Sequence, residues 1–178
     1  MILLMGIAGS GKGTQGKMLA DKNKFHLISM GDVVRMYVTG KQRERMLAGE
    51  LLDDQEIIEI VDKVLKTIPD NEEVILDGFP RTLPQAEWLV EQAKNGRFKL
   101  RTALHLVASR EAVKERLLDR ARIDDKEDSI NQRFDEYERL TSPVLKWLED
   151  NGVDVYNANA EQSREEVFKD LESHLEQV

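Results

Sequence analysis

Residues 6–14 of this chain have the sequence Gly-Ile-Ala-Gly-Ser-Gly-Lys-Gly-Thr and directly follow the short apolar run Ile2–Met5. An apolar run of this length that ends at a glycine is typical of a buried parallel strand. The closely spaced glycines allow a tight turn in which successive backbone N–H groups point at one anion. The residues from Thr14 to Lys22 contain no proline, which predicts a helix whose positive end faces the same anion. This order predicts a loop that binds the phosphates of a nucleotide.

The loop fits the pattern G-x-x-x-x-G-K, in which Lys12 is placed to reach the outer phosphates. It departs from the usual form at Gly13, where a serine or threonine is expected, and the hydroxyl comes one residue later at Thr14. A strand–helix turn without a ligand could have the same residues, but the preceding strand and following helix favour phosphate binding. The predicted contacts to the ATP phosphates are Gly9, Ser10, Gly11, Lys12, Gly13 and Thr14.

Composition limits the class of protein. With 178 residues, of which 40% are hydrophobic and 34% charged, the chain should form one domain with a sizeable core. Its net charge of −8 argues against a nucleic-acid-binding surface, because phosphate backbones need a basic face. The absence of cysteine excludes disulfides, thiol catalysis and cysteine-ligated zinc. No apolar run has membrane-spanning length and the apolar start has no basic flank, so we expect a cytoplasmic protein that does not bind membranes.

Candidate strands alternate with helical patterns along the chain, which predicts an α/β fold with a parallel sheet and helices on both faces. The predicted strands are Ile2–Met5, His26–Ser29, Val74–Asp77, Ala103–Val107 and Val153–Tyr156. The predicted helices are Lys12–Lys22, Gly31–Val38, Gln55–Thr67, Leu83–Lys94, Arg110–Ala121, Ile130–Asp150 and Arg164–Glu176. Pro143 should break or bend the long sixth helix near Ser142.

Charged residues follow two of the predicted strands at the edge where open parallel sheets bind ligands. Arg35 lies one turn into the helix after the second strand and Arg81 follows the third strand, so both can point at one substrate. Asp77 ends the third strand and, together with the hydroxyl of Thr14, could hold Mg²⁺ through water. Asp77 could also be a turn residue before Gly78, but the phosphate loop nearby favours the metal role.

Three motifs resemble the nucleoside monophosphate kinases, and most closely the adenylate kinase family. They are GIAGSGKGTQ at residues 6–15, ISMGDVVR at residues 28–35 and DGFPRTLPQ at residues 77–85. Further matches are RLLDR at 116–120, RIDD at 122–125, Gln132-Arg133 and NAEQSREEVF at 159–168. The matches span nearly the whole chain in the family order. The resemblance implies one kinase domain over residues 1–178 with the three-layer P-loop NTPase fold and five parallel strands in the order 2-3-1-4-5.

The resemblance implies reversible phosphoryl transfer from MgATP to AMP, which gives two ADP, with no zinc. By the same resemblance Lys12 follows the transferred group, Arg35 and Arg81 clamp the AMP phosphate, and Arg116 stacks on the ATP base. The implied catalytic set is Lys12, Arg81, Arg120, Arg122 and Arg133, of which Arg120 also contacts ATP and Arg122 and Arg133 also contact AMP. Judged individually, Arg116, Arg120 and Arg133 would be interpreted as solvated helical arginines.

The identity of the acceptor base is inferred chiefly from Gln85. The adenylate members of the family carry glutamine at this position, and the pyrimidine members usually carry asparagine. A carboxamide donates one hydrogen bond and accepts another, which suits the N1/N6 edge of adenine. Gln85 could also be an ordinary polar residue of its helix. The other implied AMP contacts are Met30, Leu51, Leu52, Gly78 and Phe79, and Gln162 lies near the adenine end of the ATP site.

Two alternatives remain open. One is a UMP/CMP kinase, which Gln85 disfavours, and the other is a non-catalytic nucleotide-binding assembly factor on the same fold. The number of arginines disfavours the second, because binding alone needs fewer charges. A GTPase is disfavoured because no N-K-x-D motif is present: Asn23-Lys24 is followed by Phe25-His26.

The sequence departs from the family at two flaps. Only Ala121 separates Arg120 from Arg122, so a residual lid turn at residues 120–125 replaces the usual lid. The monophosphate-binding arm at residues 30–58 is also shortened, and Met30 replaces a small hydroxyl residue, which predicts looser AMP selectivity. A lid normally excludes water and completes the arginine set. We therefore expect either poorer exclusion of water or cover by a neighbouring subunit, in a monomer or small homo-oligomer.

Overall fold

The sheet lies at the centre of the molecule. Across residues 1–48, 50–69, 72–120 and 126–178, which the computed structural model describes, five strands form one parallel sheet in the order β2-β3-β1-β4-β5. The strands are β1 (Ile2–Gly6), β2 (His26–Ser29), β3 (Val74–Asp77), β4 (Thr102–Val107) and β5 (Val155–Asn159). The predicted strand order is confirmed. Because β1 lies between β3 and β4, the loop that follows it emerges at the middle of the sheet edge.

Helices connect successive strands. They are α1 (Lys12–Asn23), α2 (Met30–Tyr37), α3 (Gly40–Ala48), α4 (Asp54–Leu65), α5 (Leu83–Lys94), α6 (Arg110–Arg120), α7 (Glu127–Glu136), α8 (Ser142–Asp150) and α9 (Arg164–Leu175). A π-helical segment, Tyr137–Thr141, joins α7 to α8. Among these described helices, none combines the length and the apolar character needed to cross a membrane.

Two apolar layers cover the sheet, one on each face, which gives the three-layer architecture. Side chains of β1 alternate between the faces, as expected for a strand that is buried on both sides. Leu3 and Met5 pack with residues of α4, α5 and α8. Ile2 and Leu4 pack on the opposite face with residues of α1 and α9. A smaller cluster, formed by Ile7, Val113, Leu117, Ile130 and Phe134, connects the loop after β1 to α6 and α7.

Three local predictions were wrong. Helix α3 was not predicted because none of its residues is buried, so its sequence carries no apolar stripe. Strand β5 begins at Val155, two residues later than predicted, and runs to Asn159. The predicted helix Ile130–Asp150 is three segments, because α7 begins earlier, at Glu127, and a π-helical segment precedes α8. The predicted break near Ser142 is confirmed, since α8 begins at that residue. Pro143 lies in the first turn of α8, where its missing N–H leaves no helical hydrogen bond unmade.

Ser163→Ala should lower the free energy of unfolding by about 1 kcal/mol, because it removes a helix cap. Ser163 Oγ accepts a hydrogen bond from Glu166 N at 3.3 Å, and Glu166 Oε2 accepts one from Ser163 N at 3.0 Å, which together form a capping box at α9. Urea denaturation measures the change. Ser173→Ala, an exposed position in the last turn of α9, is the control and should shift stability by less than about 0.5 kcal/mol. Equal losses in both variants would contradict the capping role.

Candidate active site

The carboxyl end of the sheet opens into a cleft of about 1140 Å³. Its walls come from the loop after β1, the starts of α1 and α2, the segment before α4, the segment after β3, and from α6, α7 and the π-helical segment. Open parallel sheets bind ligands at this edge. The predicted site residues that line the cleft are Gly9, Gly11, Lys12, Gly13, Thr14, Met30, Arg35, Leu51, Leu52, Asp77, Gly78, Arg81, Gln85, Arg116 and Arg133.

Among the described residues, three predicted site residues do not line the cleft: Ser10, Phe79 and Gln162. Ser10 is 2% exposed and lies beneath the loop, where its hydroxyl has no hydrogen-bond partner among the described residues. Phe79 is fully buried, and its ring meets Trp88 edge-on with a centroid separation of 6.1 Å. Gln162 is exposed in the turn before α9. Arg122 and the rest of the predicted lid turn at 121–125 lie outside the described residues, and so does the side chain of Arg120.

The loop between β1 and α1, residues Gly6–Gly11, is the phosphate-loop candidate. Its last residue, Gly11, is the N-cap of α1 with φ +99°, so no side chain caps the first N–H groups of that helix. Such N–H groups are available to an anion in the cleft. Lys12 bends back over the loop, where Nζ donates to Gly6 O at 2.7 Å and to Ile7 O at 3.0 Å. The ammonium group and the helix end therefore present positive charge at one point of the cleft.

The loop packs directly on α6. Gly9 has φ +85°, and a Cβ added there would lie 2.9 Å from Leu117 Cγ and 3.0 Å from Val113 Cβ. Arg116 lies on the same helix and donates from Nη1 to Ala160 O at 3.0 Å. The close approach at Gly9 consequently fixes the distance between the phosphate loop and the helix that carries Arg116.

Three arginines, Arg35, Arg81 and Arg133, line the same cleft as the loop. Burial lowers the pKa of Arg81, and the neighbouring cations Arg35 and Arg133 lower it further, while the carboxylate of Asp77 acts in the other direction. Charges change the pKa of Arg81 in this way only when they lie near it in a space that is partly shielded from water. A cluster of arginines with one aspartate is a favourable site for a phosphate, which guanidinium forks bind bidentately.

Arg81 is held in place at three points. Its Nε donates to Gly78 O at 2.8 Å, and its backbone N–H donates to Gln85 Oε1 at 2.8 Å. Its backbone carbonyl accepts from Thr141 Oγ1 at 2.9 Å. Thr141, at the end of the π-helical segment, was not predicted as a site residue, and no local sequence pattern would have identified it. Arg35, by comparison, donates to Asp32 Oδ1 at 2.7 Å within α2.

Asp77 and Thr14 fit the requirements of a magnesium ion. The carboxylate oxygen Oδ2 of Asp77 lies 4.0 Å from the position that a Cβ on Gly13 would occupy, next to Thr14 in the chain. Both residues line the cleft and both offer oxygen, the ligand atom that Mg²⁺ prefers. Mg²⁺ usually binds through one or two protein groups together with substrate phosphates and water, and this pair matches that pattern.

Tyr137 and His105 form a polar pair at the cleft that the sequence analysis did not assign. His105 Nδ1 lies 2.6 Å from Asn157 Oδ1, and His105 Nε2 lies 2.8 Å from the hydroxyl of Tyr137. Because the amide oxygen accepts, Nδ1 carries the proton and Nε2 accepts from Tyr137. Burial lowers the pKa of His105; the hydrogen bond to Asn157 acts in the other direction and the charge of Lys12 lowers the pKa further. Burial raises the pKa of Tyr137 to about 12. A histidine inside the apolar strand β4 was the available sequence signal.

Comparison with known proteins gives a consistent result. The family model described as "Adenylate kinase" matches residues 4–153, which is more than half of the chain. A protein named adenylate kinase from Porphyromonas gingivalis (strain ATCC 33277) is 34% identical over 157 residues, covering 83% of this chain and 81% of the relative. One from Synechococcus sp. (strain CC9902) is 34% identical over 172 residues, 93% of each chain. One from Archaeoglobus fulgidus is 31% identical over 215 residues, 99% of this chain and 98% of the relative.

Gly9→Ala should destabilise the protein more than Gly11→Ala, by roughly 1–3 kcal/mol in the free energy of unfolding. Both glycines have positive φ, so both substitutions carry backbone strain, but a Cβ at Gly11 meets nothing within 4 Å whereas one at Gly9 collides with α6. Urea denaturation of the two variants isolates the packing contribution. Equal destabilisation would contradict the close contact between loop and helix.

His105 should make the protein less stable as the pH falls from about 7 towards 5.5. Its folded pKa lies below the ordinary value of 6.5, so between these two values the unfolded chain binds more protons and stability is lost on acidification. His105→Gln removes this titration, while His26 and His174 are present in both proteins and cancel. The stability difference between wild type and His105→Gln should therefore shrink as the pH falls. A difference that stays constant in urea titrations across this range would contradict a buried neutral His105.

Proposed function

The chain belongs to the adenylate kinase family, and we propose that it catalyses reversible phosphoryl transfer from MgATP to AMP, which yields two ADP. Membership of this family confirms the resemblance of the three motifs and makes the chain a nucleotide-binding kinase. The observation that supports the specific reaction is that Arg35, Arg81 and Arg133 line one cleft together with the phosphate loop and are near enough for Arg35 and Arg133 to affect the pKa of Arg81. Two phosphate-bearing ligands can meet end to end between these two positive regions.

Arg35 and Arg81 would hold the phosphate of AMP. A guanidinium binds phosphate through two parallel hydrogen bonds, which fixes its orientation better than the point charge of lysine does. Burial and repulsion lower the pKa of Arg81, and a bound phosphate dianion relieves both effects. The three contacts that hold Arg81 support this role, because a clamp that is already oriented loses little entropy on binding.

The ATP phosphates would occupy the loop and the start of α1. An oxygen of the AMP phosphate attacks the γ-phosphorus in line, the bond to the β-phosphate bridging oxygen breaks, and ADP leaves without a covalent enzyme intermediate. Lys12 would exchange its two loop carbonyls for phosphate oxygens, and Arg133 would offset the charge that develops on the transferred group. Arg120 and Arg122 would join Arg133, and Arg116 would stack on the ATP base. Mg²⁺ at Asp77 and Thr14 would neutralise charge on the phosphates.

Gln85 supports AMP as the acceptor. Its carboxamide has one hydrogen bond to Asp54 and one from Arg81 N, which leaves one N–H and one acceptor position for the edge of a base. Leu51 and Leu52 line the cleft as an apolar cover for that base. A donor and an acceptor side by side suit adenine, although cytosine has a similar edge, and for this reason a UMP/CMP kinase is the alternative.

The trimmed lid and the shortened arm are part of the proposal. The alignment with the Archaeoglobus fulgidus relative covers 215 positions, more than the 178 residues of this chain, so that relative has additional residues opposite gaps. We propose that these gaps include the lid turn at 120–125 and the arm at 30–58. The partners would be ATP, AMP and ADP, in the cytoplasm where these nucleotides interconvert, and the protein would be a monomer or small homo-oligomer.

The test is the rate of ADP formation from ATP with AMP, CMP, UMP and dAMP as acceptors. Lys12→Ala should lower kcat with AMP by about 10²–10³-fold, because one preorganised positive group is lost from the transition state. Lys146→Ala, which removes an exposed lysine paired with Asp150 on α8, should leave kcat unchanged. A higher kcat/KM for CMP or UMP would identify a pyrimidine kinase. ATP binding without transfer to any of the four acceptors would favour the assembly factor.

A further inference from the structure

We propose that Asp54, in the first turn of α4, is a positioning residue that locks the orientation of the Gln85 carboxamide and thereby selects the acceptor base. This inference rests on the proposed function, because it takes Gln85 as the group that reads the base of AMP. Asp54 itself does not line the nucleotide cleft. It acts through Gln85 and does not touch the nucleotide.

One carboxylate oxygen makes both contacts. Asp54 Oδ1 accepts from Thr82 Oγ1 at 2.6 Å and from Gln85 Nε2 at 2.8 Å. The two donors are nearly inaccessible to water, since Thr82 is 7% and Gln85 is 2% exposed. A buried donor that loses its acceptor loses a hydrogen bond that water cannot replace. The two hydrogen bonds to Asp54 therefore favour the observed orientations of the Thr82 and Gln85 side chains.

The orientation of a carboxamide matters because its two ends are nearly the same size but opposite in hydrogen-bonding character. If the Gln85 amide turned over, Oε1 would face the Asp54 carboxylate and Nε2 would face the Arg81 N–H. Both contacts would then be repulsive, acceptor against acceptor and donor against donor. The two observed hydrogen bonds consequently permit one orientation, in which the donor and the acceptor offered to the ligand have a fixed order.

A fixed order of donor and acceptor discriminates between bases of equal size. The adenine edge has the N6 donor beside the N1 acceptor, whereas hypoxanthine has an O6 acceptor beside an N1 donor. An amide held in one orientation forms both hydrogen bonds with adenine, whereas with hypoxanthine it leaves two unsatisfied contacts. AMP and IMP differ by little else, so the ratio of their kcat/KM values reports the orientation of Gln85. An amide that is free to turn over can serve both bases.

The hydrogen bonds that orient Gln85 also hold Arg81, one of the two arginines proposed to bind the AMP phosphate. Gln85 Oε1 accepts from the backbone N–H of Arg81, while Thr141 holds the carbonyl of the same residue. Loss of Asp54 should therefore raise the KM for AMP through Arg81 as well as through the base. The KM for ATP should stay unchanged, because Asp54 and Gln85 belong to α4 and α5, whereas the phosphate loop connects β1 to α1.

A purely structural role is the competing explanation, since a carboxylate in the first turn of a helix also interacts favourably with the helix dipole. The chain provides a matched control in Asp53. Asp53 is the N-cap of α4 and accepts from Gln55 N at 3.0 Å and from Glu56 N at 3.4 Å, but the structure gives it no contact with Gln85. Asp53→Ala and Asp54→Ala each remove one carboxylate from the same end of α4. Only Asp54→Ala also removes a hydrogen bond to Gln85.

The experiment measures kcat/KM for AMP and for IMP with the full chain. Asp54→Ala should lower the AMP-to-IMP ratio by about tenfold and raise the KM for AMP, because one buried hydrogen bond is lost. Asp53→Ala should lower the urea midpoint and leave the ratio unchanged. Asp54→Asn, whose Oδ1 accepts both donors as before, should restore the ratio to within about threefold of wild type, by retaining the hydrogen bonds without the charge. If Asp54→Ala does not fold, Asp54→Leu removes the acceptor while filling the space.

The proposal is overturned if the AMP-to-IMP ratio of Asp54→Ala or Asp54→Leu equals that of wild type, or if Asp53→Ala changes it as much. Failure of the proposed function is seen separately, in the wild-type protein before any substitution. A wild type that transfers no phosphoryl group to AMP removes the proposed function, and the role of Asp54 falls with it. A wild type that is active on AMP, with variants that keep the ratio, overturns only the role of Asp54.

Discussion

Like charges repel most strongly where water is scarce, and this fold places the buried guanidinium of Arg81 near two other arginines in one cleft. Arg35, Arg81 and Arg133 come from three separate elements, α2, the segment after β3, and α7. The carbonyl of Gly78 and the hydroxyl of Thr141 hold Arg81, while Arg35 pairs with the carboxylate of Asp32. The carboxylate of Asp77 also acts against the effect of the neighbouring cations on Arg81. An anion that enters the cleft would add a further favourable interaction with these cations.

The phosphate loop supplies the opposing half of the cleft, and its position follows from the sheet. β1 is the central strand and its side chains are buried on both faces, so the residue at which it ends varies little in position. Because Gly9 has no side chain, the loop packs closely against Val113 and Leu117 of α6. Around this loop, α2 carries Arg35, the segment after β3 carries Arg81, α5 carries Gln85 and α7 carries Arg133.

The parts that sequence could predict are those that depend on local pattern. Strand β1, the glycine loop and α1 follow from the apolar run and the glycine spacing, and the parallel sheet follows from the alternation of strands and helices. The strand order came from the resemblance to the kinase family. The structure assembles most of the predicted site residues around one cleft, while the catalytic roles assigned to them remain predictions, as does the trimmed lid. Helix α3 was missed because it buries no residue and therefore has no apolar stripe. The π-helical segment, Thr141 and the pair of Tyr137 and His105 were missed because each depends on tertiary contacts that no window of sequence contains. Ser10, Phe79 and Gln162 lie in the right segments, but their side chains do not line the cleft.

The π-helical segment also fixes the phase of the helix that follows it. A π turn is equivalent to one additional residue in an α-helix, and one residue corresponds to about 100° of rotation. Val144 and Leu148 of α8 face the core, while Tyr137 and Thr141 face the cleft, only because that additional residue is present. A single-residue deletion here would give a more regular helix and would turn α8 away from the core or Tyr137 and Thr141 away from the cleft. The π-helical segment is consequently one of the places where the chain can least accept a change in length.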